Sequence, residues 1–317
     1  MKLRVGTRPS ELSIKQTLEV IDALRSKHHD IEFEIVKIKT KGDIDRKTPL
    51  YDMPVKGIFE KEVDLALIRG DVDFVVHSLK DYPTIVDPQL ELASIPKRKS
   101  PYDVILCRKH KGLSELPSGA IIGTSSLRRM THLKYFRPDL NVIPIRGNVD
   151  TRIRKLWRGD CDAIVIAEVG IQRLNLDLAY EVLSFDVMVP AAGQGALAVV
   201  CRKGDSEIKS LLKSIEDPPS RFEVEVERKI LRHLRAGCRT PIGVNVRIQG
   251  DKAIASISSV SPDGKLKVYI IEEHEYPCSI DDLAYKAYMK FKDNGGLEII
   301  ELWREKDMFS TLRGVTT

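Results

Sequence analysis

An alternation of short apolar runs with amphipathic stretches fills the first two-thirds of the chain and constrains its fold more than any other feature. The runs LRVGT, FEIVKIKT, DFVVHS, DVILCRK, AIIGT, DAIVIA and ALAVVC are predicted strands. The stretches SELSIKQTLEVIDALRSKH and SLRRMTHLKYFR between them have a helical period. This alternation is typical of α/β folds, so we expect largely parallel sheets.

The chain also carries a weak internal repeat. LRVGTRPS near the start is similar to AIIGTSSLRR at 120–129, and RGDVDFVVHSLKD at 69–81 is similar to RGDCDAIVIAEVG at 158–170. The two pairs occur in the same order, which predicts two domains of similar topology. Recurrence of common helix-end and turn residues is the alternative.

The pattern changes after EDPPS at 216–220, which we predict to be a linker. RFEVEVERKILRHLRA is a predicted helix with Phe222, Val226, Ile230 and Leu234 on one face. VNVRIQG and AIASISSV are predicted strands, and SPDG is a turn signal. These elements indicate a smaller α+β domain at the C-terminal end.

Several functional classes find no support in the sequence. The chain has no GxxxxGK[ST], no GxGxxG after a strand and no HExxH. Its five cysteines are odd in number and include no CxxC, so neither a disulfide framework nor a metal site is expected. The N-terminal MKLRVGTRPSELSIK lacks a long apolar stretch, and no segment approaches the roughly 18 apolar residues of a membrane helix. We therefore expect a cytoplasmic protein with no membrane partner.

Candidate anion sites occur where predicted strands turn into helices. The side chains concerned are Arg8 and Ser10 in GTRPSELS, and Thr124, Ser125, Ser126, Arg128 and Arg129 in GTSSLRR. Backbone N–H groups at a helix N-terminus favour an anion, and hydroxyl and guanidinium groups add donors. Simple N-capping with solvated arginines is the alternative.

A basic segment runs from residue 128 to 158, with nine basic residues against two acidic ones. It includes Arg146, Arg152, Arg154 and Arg158. Arginine is more frequent than lysine here, which suits bidentate recognition of carboxylate or phosphate. Because aromatic residues for base stacking are sparse, an acidic small molecule or oligomer is a better partner than nucleic acid.

Two further features have the residue types that chemistry needs. HSLKDYP at 77–83 follows a predicted strand, so Lys80 and Asp81 should face a ligand at the sheet edge, although Asp81 could simply begin a turn. Cys238 lies in the loop LRAGCRTPIG, and no Ser/His/Asp or Cys/His arrangement surrounds it. The flanking arginines would lower the pKa of this thiol and the preceding helix end would raise it. A covalent attachment point fits Cys238 better than a protease-like nucleophile.

Together the motifs resemble those of one family. GTRPS, KGIFEKE, VHSLKDYP, GTSSLRR, RGNVDTR, PAAGQGA and AGCRTPIG occur in the order and spacing of hydroxymethylbilane synthase, also called porphobilinogen deaminase. The resemblance runs from residue 3 to about 245. It implies an α/β fold with two domains of the type II periplasmic-binding-protein kind and a smaller α+β domain. The implied boundaries are 1–97 with 191–215, then 98–190, then 216–317.

The resemblance also implies the chemistry. Cys238 would hold a dipyrromethane cofactor through a thioether, porphobilinogen units would be added to a growing polypyrrole chain with loss of ammonia, and hydroxymethylbilane would be released. Asp81 matches the catalytic carboxylate that contacts pyrrole N–H groups and stabilises a cationic azafulvene. The matching binding residues are Arg8, Ser10, Lys56, Ser78, Lys80, Thr124, Ser125, Ser126, Arg128, Arg129, Arg146, Arg152 and Arg173. Pro54 and Val55 replace the Gly-Gly found in many members, and Ala236 replaces a glycine two residues before Cys238.

Two other functions are weighed against this one. A non-catalytic anion receptor would also have two domains with an anion-binding cleft, but this function leaves Cys238 unexplained. A nucleic-acid binder would use residues 128–158. The family resemblance also implies a monomer.

Overall fold

The computed structural model describes residues 1–40, 60–236 and 240–305. The strands are β1 (Lys2–Thr7), β2 (Glu32–Lys37), β3 (Phe74–Ser78), β4 (Leu90–Ser94), β5 (Asp103–Cys107), β6 (Ile121–Gly123), β7 (Asn141–Ile143), β8 (Ala163–Ala167), β9 (Glu181–Val182), β10 (Leu197–Arg202), β11 (Ile242–Gln249), β12 (Lys252–Val260) and β13 (Lys267–Glu275). The helices are α1 (Glu11–Arg25), α2 (Lys61–Ile68), α3 (Leu127–Phe136), α4 (Val149–Arg158), α5 (Glu168–Arg173), α6 (Ser206–Lys213), α7 (Pro218–His233), α8 (Ile280–Asp293) and α9 (Gly296–Glu305).

Two five-stranded sheets have the same strand arrangement. The first has the order β2-β1-β3-β10-β4 and the second β7-β6-β8-β5-β9. Position by position, β6 corresponds to β1 and β8 to β3, which are the strands of the internal sequence repeat. The predicted pair of similar topologies is therefore present in the molecule.

The sheets are mixed rather than largely parallel. β10 is antiparallel to β3 and β4, and β5 is antiparallel to β8 and β9. Each of these strands enters its sheet directly after the chain crosses over from the other sheet, so it arrives from the opposite direction. The predicted parallel direction is wrong for DVILCRK and ALAVVC for this reason.

Both faces of each sheet are buried. On β10, Leu197, Val199 and Cys201 face one apolar core, while Ala198 and Val200 face another. This period-2 alternation within a fully apolar strand is what a sheet covered on both sides requires. The second sheet likewise separates two cores, with Ile105 on one side and Val104 on the other.

The third sheet, β11-β12-β13, is antiparallel and packs against α7 and α8. Phe222, Val226, Ile230 and Leu234 all lie in its core, as predicted. The predicted linker EDPPS instead contains the start of α7, because Asp217 accepts a hydrogen bond from the Ser220 backbone N at 3.0 Å and Pro218 opens the helix.

One buried carboxylate joins the crossover segments to this third unit. Glu227 of α7 is fully buried and accepts hydrogen bonds from Arg98 Nη1 at 2.7 Å, Gly193 N at 2.6 Å and Val246 N at 2.8 Å. Arg98 and Gly193 lie on the two segments that connect the five-stranded sheets. Such a pair is costly to break, since a lone buried charge would remain.

Burial raises the thiol pKa of each cysteine that the structure describes. Cys161 and Cys201 are buried and Cys107 is half-buried. Burial raises the pKa of the Cys107 and Cys201 thiols to about 11. Among the described residues, no helix has the length and apolar character needed to cross a membrane.

Candidate functional site

A cleft of about 400 Å³ lies at the carboxyl ends of strands from both five-stranded sheets. Arg8 follows β1, Ser78 ends β3, and Arg146 follows β7 by a few residues, so equivalent edges of the two sheets face one another across the space. The cations that line it are Arg8, Lys80, Arg129, Arg146, Arg152, Lys155 and Arg173. Asp81 is the one carboxylate among the described lining residues, so the lining is strongly positive.

Asp81 is presented to the cleft by a tight turn. Residues 79–81 form a single 3-10 turn after β3, closed by a hydrogen bond from Tyr82 N to Leu79 O at 3.1 Å. Leu79 and Tyr82 are buried on either side of it, which leaves Lys80 and Asp81 pointing outward. Asp81 is exposed and makes no hydrogen bond or ion pair within the described part of the chain. Its oxygens are thus available to a ligand.

Lys80 lies beside Asp81 in a desolvated position. Its Nζ donates to Oε1 of Gln194 at 3.3 Å. Burial lowers the pKa of Lys80 to about 8, with the nearby Arg129 charge adding to the effect and the Asp81 carboxylate opposing it. Near neutral pH this ammonium group is still mostly charged, and a bound anion would favour its charged form further.

Asp103 organises the arginine pair of GTSSLRR. This carboxylate is fully buried at the start of β5 and accepts from Arg128 Nη1 at 2.6 Å and from Arg129 Nη2 at 2.7 Å. Burial alone would raise the pKa of Asp103, but the two guanidinium groups hold it well below its usual range. Two positive charges share one negative partner, so the cluster keeps a net positive charge toward the cleft.

The two arginines of this pair lie in different places. Arg129 lines the cleft, whereas Arg128 is buried behind it and also donates to the Val189 carbonyl at 2.8 Å. Arg128 is therefore a neighbour of the lining rather than part of it.

The predicted hydroxyl donors also divide into two groups. Ser10 and Ser78 line the cleft; Ser10 caps α1, and Ser78 accepts from Gln16 Nε2 at 2.7 Å. Thr124, Ser125 and Ser126 lie outside the lining and make local bonds. Ser126 caps α3, while Ser125 donates to the Ile145 carbonyl at 2.6 Å. The capping alternative therefore describes Ser126 only, and its solvated arginines are not observed, because Arg128 and Arg129 are buried.

Arg146, Arg152 and Arg173 reach the cleft from the second sheet and its helices. Nη1 of Arg146 is buried and has no hydrogen-bond partner among the residues that the structure describes. Burial lowers the pKa of Arg152 to about 10, and the charges of Arg129 and Arg146 add to this effect. Arg173 is more constrained, since its Nε donates to Glu19 at 3.0 Å. Unpaired and mutually repelling cations of this kind are stabilised by an anionic ligand.

Sequence reasoning missed several residues of the site. Gln194 is fully buried and links Lys80 to Asp103, to which its Nε2 donates at 3.0 Å. It lies between Gly193 and Gly195 of PAAGQGA, one of the motifs that carry the family resemblance. A charged residue opening the apolar strand DVILC was the available signal for Asp103. Gln16 lies on a predicted helical stretch and carries no distinguishing pattern, and Lys155 lies in the basic segment 128–158 but was not singled out there.

Two predicted residues, Lys56 and Cys238, lie outside the described residues. The described cleft can nevertheless be tested for a fit to a dipyrromethane that carries carboxylate side chains. The buried, unpartnered Nη1 of Arg146 and the excess of cations over the single carboxylate are what such a polyanion requires. The residues present fit the group.

Fold and cleft together define a class: an α/β protein in which two equivalent sheets enclose a cationic site for an acidic ligand. A family profile described as "Porphobilinogen deaminase, dipyromethane cofactor binding domain" matches residues 3–210. The probable porphobilinogen deaminase of Nitrosopumilus maritimus is 43% identical over 96% of this chain and 98% of its own length. The porphobilinogen deaminase of Limosilactobacillus reuteri is 43% identical over 90% of this chain and 94% of its own. The chain belongs to the porphobilinogen deaminase family.

Solved structures show a more distant likeness. The methionine-binding protein MetQ matches 68% of this chain and 89% of its own length, with 13% identity and a TM-score of 0.42. Because this TM-score is below 0.5, we assign the fold class from the strand orders described above and not from this likeness.

Proposed function

We propose that the protein is a transferase that joins four porphobilinogen molecules head to tail, with loss of ammonia, onto a dipyrromethane attached to Cys238, and then releases hydroxymethylbilane by hydrolysis. The observation that carries the proposal is the cleft lined by many cations and one unpaired carboxylate, in a chain that belongs to the porphobilinogen deaminase family. The product class is a linear tetrapyrrole.

The charge of the cleft matches the charge of these ligands. Every porphobilinogen ring bears an acetate and a propionate, so a chain of rings is a polyanion whose charge grows with each addition. Arg129, Arg146, Arg152 and Arg173 would hold these carboxylates, since guanidinium groups bind them bidentately. When bound, the dipyrromethane supplies the pyrrole carbon that becomes joined to the first substrate.

Asp81 is the proposed catalytic residue. Loss of ammonia leaves positive charge on the substrate, and a fixed carboxylate nearby stabilises that charge while accepting a hydrogen bond from the pyrrole N–H. The buried Leu79 and Tyr82 hold the turn in place, so the carboxylate needs no rearrangement to act. Lys80 beside it would bind a substrate carboxylate.

The remaining predicted residues receive supporting roles. Arg8, Ser10 and Ser78 would donate to substrate carboxylates from the first sheet, and Lys56 is assigned from the family resemblance. Arg128 would act through Asp103, because it shares that carboxylate with Arg129 and so fixes where the Arg129 guanidinium lies. Thr124, Ser125 and Ser126 would stabilise the start of α3, which carries both arginines.

We also propose a cytoplasmic monomer without a nucleic-acid or membrane partner. Part of the basic segment is neutralised locally, since Arg154 pairs with Asp150 at 2.8 Å and Arg158 with Asp160 at 2.6 Å. Filter binding with a salt titration tests this, because phosphate contacts would produce a steep salt dependence. Size-exclusion chromatography tests the monomer.

The attachment is tested by the intact mass of the purified protein and of Cys238→Ala, with Cys278→Ala as the matched cysteine control. The unmodified sequence and the control should carry an added mass equal to two porphobilinogens less two ammonias, mapped to the peptide that contains Cys238. Cys238→Ala should lack it. Retention of the added mass by Cys238→Ala would show that the anchor is elsewhere.

A further inference from the structure

A second, smaller cavity adjoins the cleft directly at Asp81. Its volume is about 20 Å³, and it shares Arg8, Ser78 and Asp81 with the cleft. Its wall adds two buried ionisable side chains, His77 and Glu60. A polar space of this size accommodates about one water molecule.

His77 is held by an acidic partner on a neighbouring helix. Its Nε2 lies 2.9 Å from Oδ1 of Asp64 on α2, and the imidazole is only 7% exposed. Because a carboxylate can only accept, Nε2 carries the proton and the neutral ring keeps its lone pair on Nδ1. Nδ1 makes no hydrogen bond within the described ranges. The ring can therefore take up a proton, and Asp64 would stabilise the resulting imidazolium.

Tyr82 constrains the orientation of His77. Its ring stacks on His77 with centroids 5.0 Å apart, which fixes the plane of the imidazole. Its hydroxyl is buried and lacks a hydrogen-bond partner among the described residues. Buried hydroxyl groups without protein partners are commonly satisfied by ordered water.

Stability alone does not account for this arrangement. A buried hydrogen-bonded pair such as His77 and Asp64 need not stabilise the fold more than apolar side chains of the same volume would. The proposed reaction, by contrast, has a use for a proton acceptor here. As each new C–C bond forms, the free α-carbon of the terminal pyrrole ring of the growing chain bonds to the incoming unit and loses its hydrogen as a proton. The C–H electron pair returns to that terminal ring.

We propose that His77, oriented by Asp64, is a positioning residue for proton removal at Asp81, an inference that rests on the proposed function. The proton passes from the pyrrole carbon to the Asp81 carboxylate and then through water in the small cavity to Nδ1 of His77. The same path returns it to solvent between additions, where the released ammonia takes it up, so that one ammonium ion leaves per bond formed. The ionisable groups facing His77 are Glu60, Asp64, Asp81, Arg8 and Tyr82.

The test uses the holoenzyme and His77→Gln, whose amide can still donate to Asp64 but cannot carry a proton. We expect kcat to fall by about 10²-fold with KM unchanged, the size of a lost acid–base group. Porphobilinogen deuterated at its free α-carbon should show a larger isotope effect on kcat than in the unmodified enzyme.

His132→Gln is the matched control, because His132 is also a buried histidine, bonded to Ser258 Oγ at 3.0 Å at the contact of α3 with β12. It should leave the isotope effect unchanged. If His77→Gln does not fold, Asp64→Asn takes its place, with the same changes in a smaller degree. An unaltered isotope effect on kcat in the folded variant would overturn the proposal. Absence of hydroxymethylbilane from the unmodified enzyme would instead contradict the proposed function.

Discussion

The two five-stranded sheets have the same strand order but present different chemistry at equivalent positions. In the aligned segments RGDVDFVVHSLKD and RGDCDAIVIAEVG, Lys80 corresponds to Val169 and Asp81 to Gly170. All four residues line the cleft. The first sheet thus places a lysine and a carboxylate where the second places an apolar wall.

Most of the cations that line the cleft come from the second sheet rather than from the first. Arg129, Arg146, Arg152, Lys155 and Arg173 reach the cleft from the second sheet and its helices, and Arg8 and Lys80 from the first. We therefore propose that the two halves divide the work: the first carries the reacting carboxylate, and the second mainly binds the negative charges of the ligand. The predictions below test that division.

The largest effect is expected for Asp81→Asn. The amide keeps the shape of the side chain but removes the charge that stabilises a developing cation, so turnover should fall by about 10²–10⁴-fold. Because Asp81 is exposed and unpaired within the described ranges, the midpoint of thermal unfolding should not change. Steady-state kinetics and calorimetry on one preparation check both statements. Near-normal turnover would remove Asp81 from the mechanism.

Arg146→Leu should have the next largest effect and a different character. Loss of a charge-assisted contact to a carboxylate costs about 1.5–3 kcal/mol, which corresponds to roughly 10–100-fold in elongation rate. Mass spectrometry of enzyme-bound intermediates should show accumulation at particular chain lengths, and Arg152→Leu should behave similarly. Arg154→Leu is the control, because Arg154 is exposed and outside the cleft lining. An unchanged distribution in Arg146→Leu would count against its role.

Lys80 should make substrate binding depend on pH at the alkaline end. Because burial lowers its pKa to about 8, the ammonium charge is fully present below that pH and is lost as pH rises through it. KM for porphobilinogen should therefore rise by up to about tenfold between neutral and alkaline pH, the worth of one charge-assisted contact. Lys80→Arg, which stays charged, should show no such rise. The same rise in that variant would assign it to another group.

The smallest effect is expected for Gly170→Ala, because Gly170 is the residue beside the second sheet that corresponds to Asp81. The added methyl group would lie 3.2 Å from Val149 Cγ2, a tight contact that offsets the gain from replacing a glycine in a helix. Turnover should stay within about threefold and the free energy of unfolding within about 0.5 kcal/mol. A large loss of turnover would mean that this wall takes part in the chemistry.

Local patterns in the sequence were sufficient for much of this picture. The strand-end position of Lys80 and Asp81, the repeated topology and the apolar face of α7 all depend on residues close together in the chain. What could not be predicted depends on distant contacts. The burial of Arg128 requires Asp103, which opens an antiparallel strand 25 residues away. The direction of that strand follows from a chain crossover that periodicity does not record.

Misjudged local signals account for the rest. EDPPS has the composition of a linker, yet its prolines occupy the first positions of a helix where a backbone N–H is not needed. The role of Lys56 came from the family resemblance alone, whereas the loop around Cys238 already indicated an attachment point and the resemblance supplied the cofactor.

The division of work between the sheets is tested most directly by mass spectra of the holoenzyme, Asp81→Asn and Arg146→Leu after brief exposure to porphobilinogen. The unmodified enzyme should show a ladder of successive additions. Asp81→Asn should show no added unit, whereas Arg146→Leu should begin the ladder and accumulate partway along it. Identical ladders in the two variants would contradict the account.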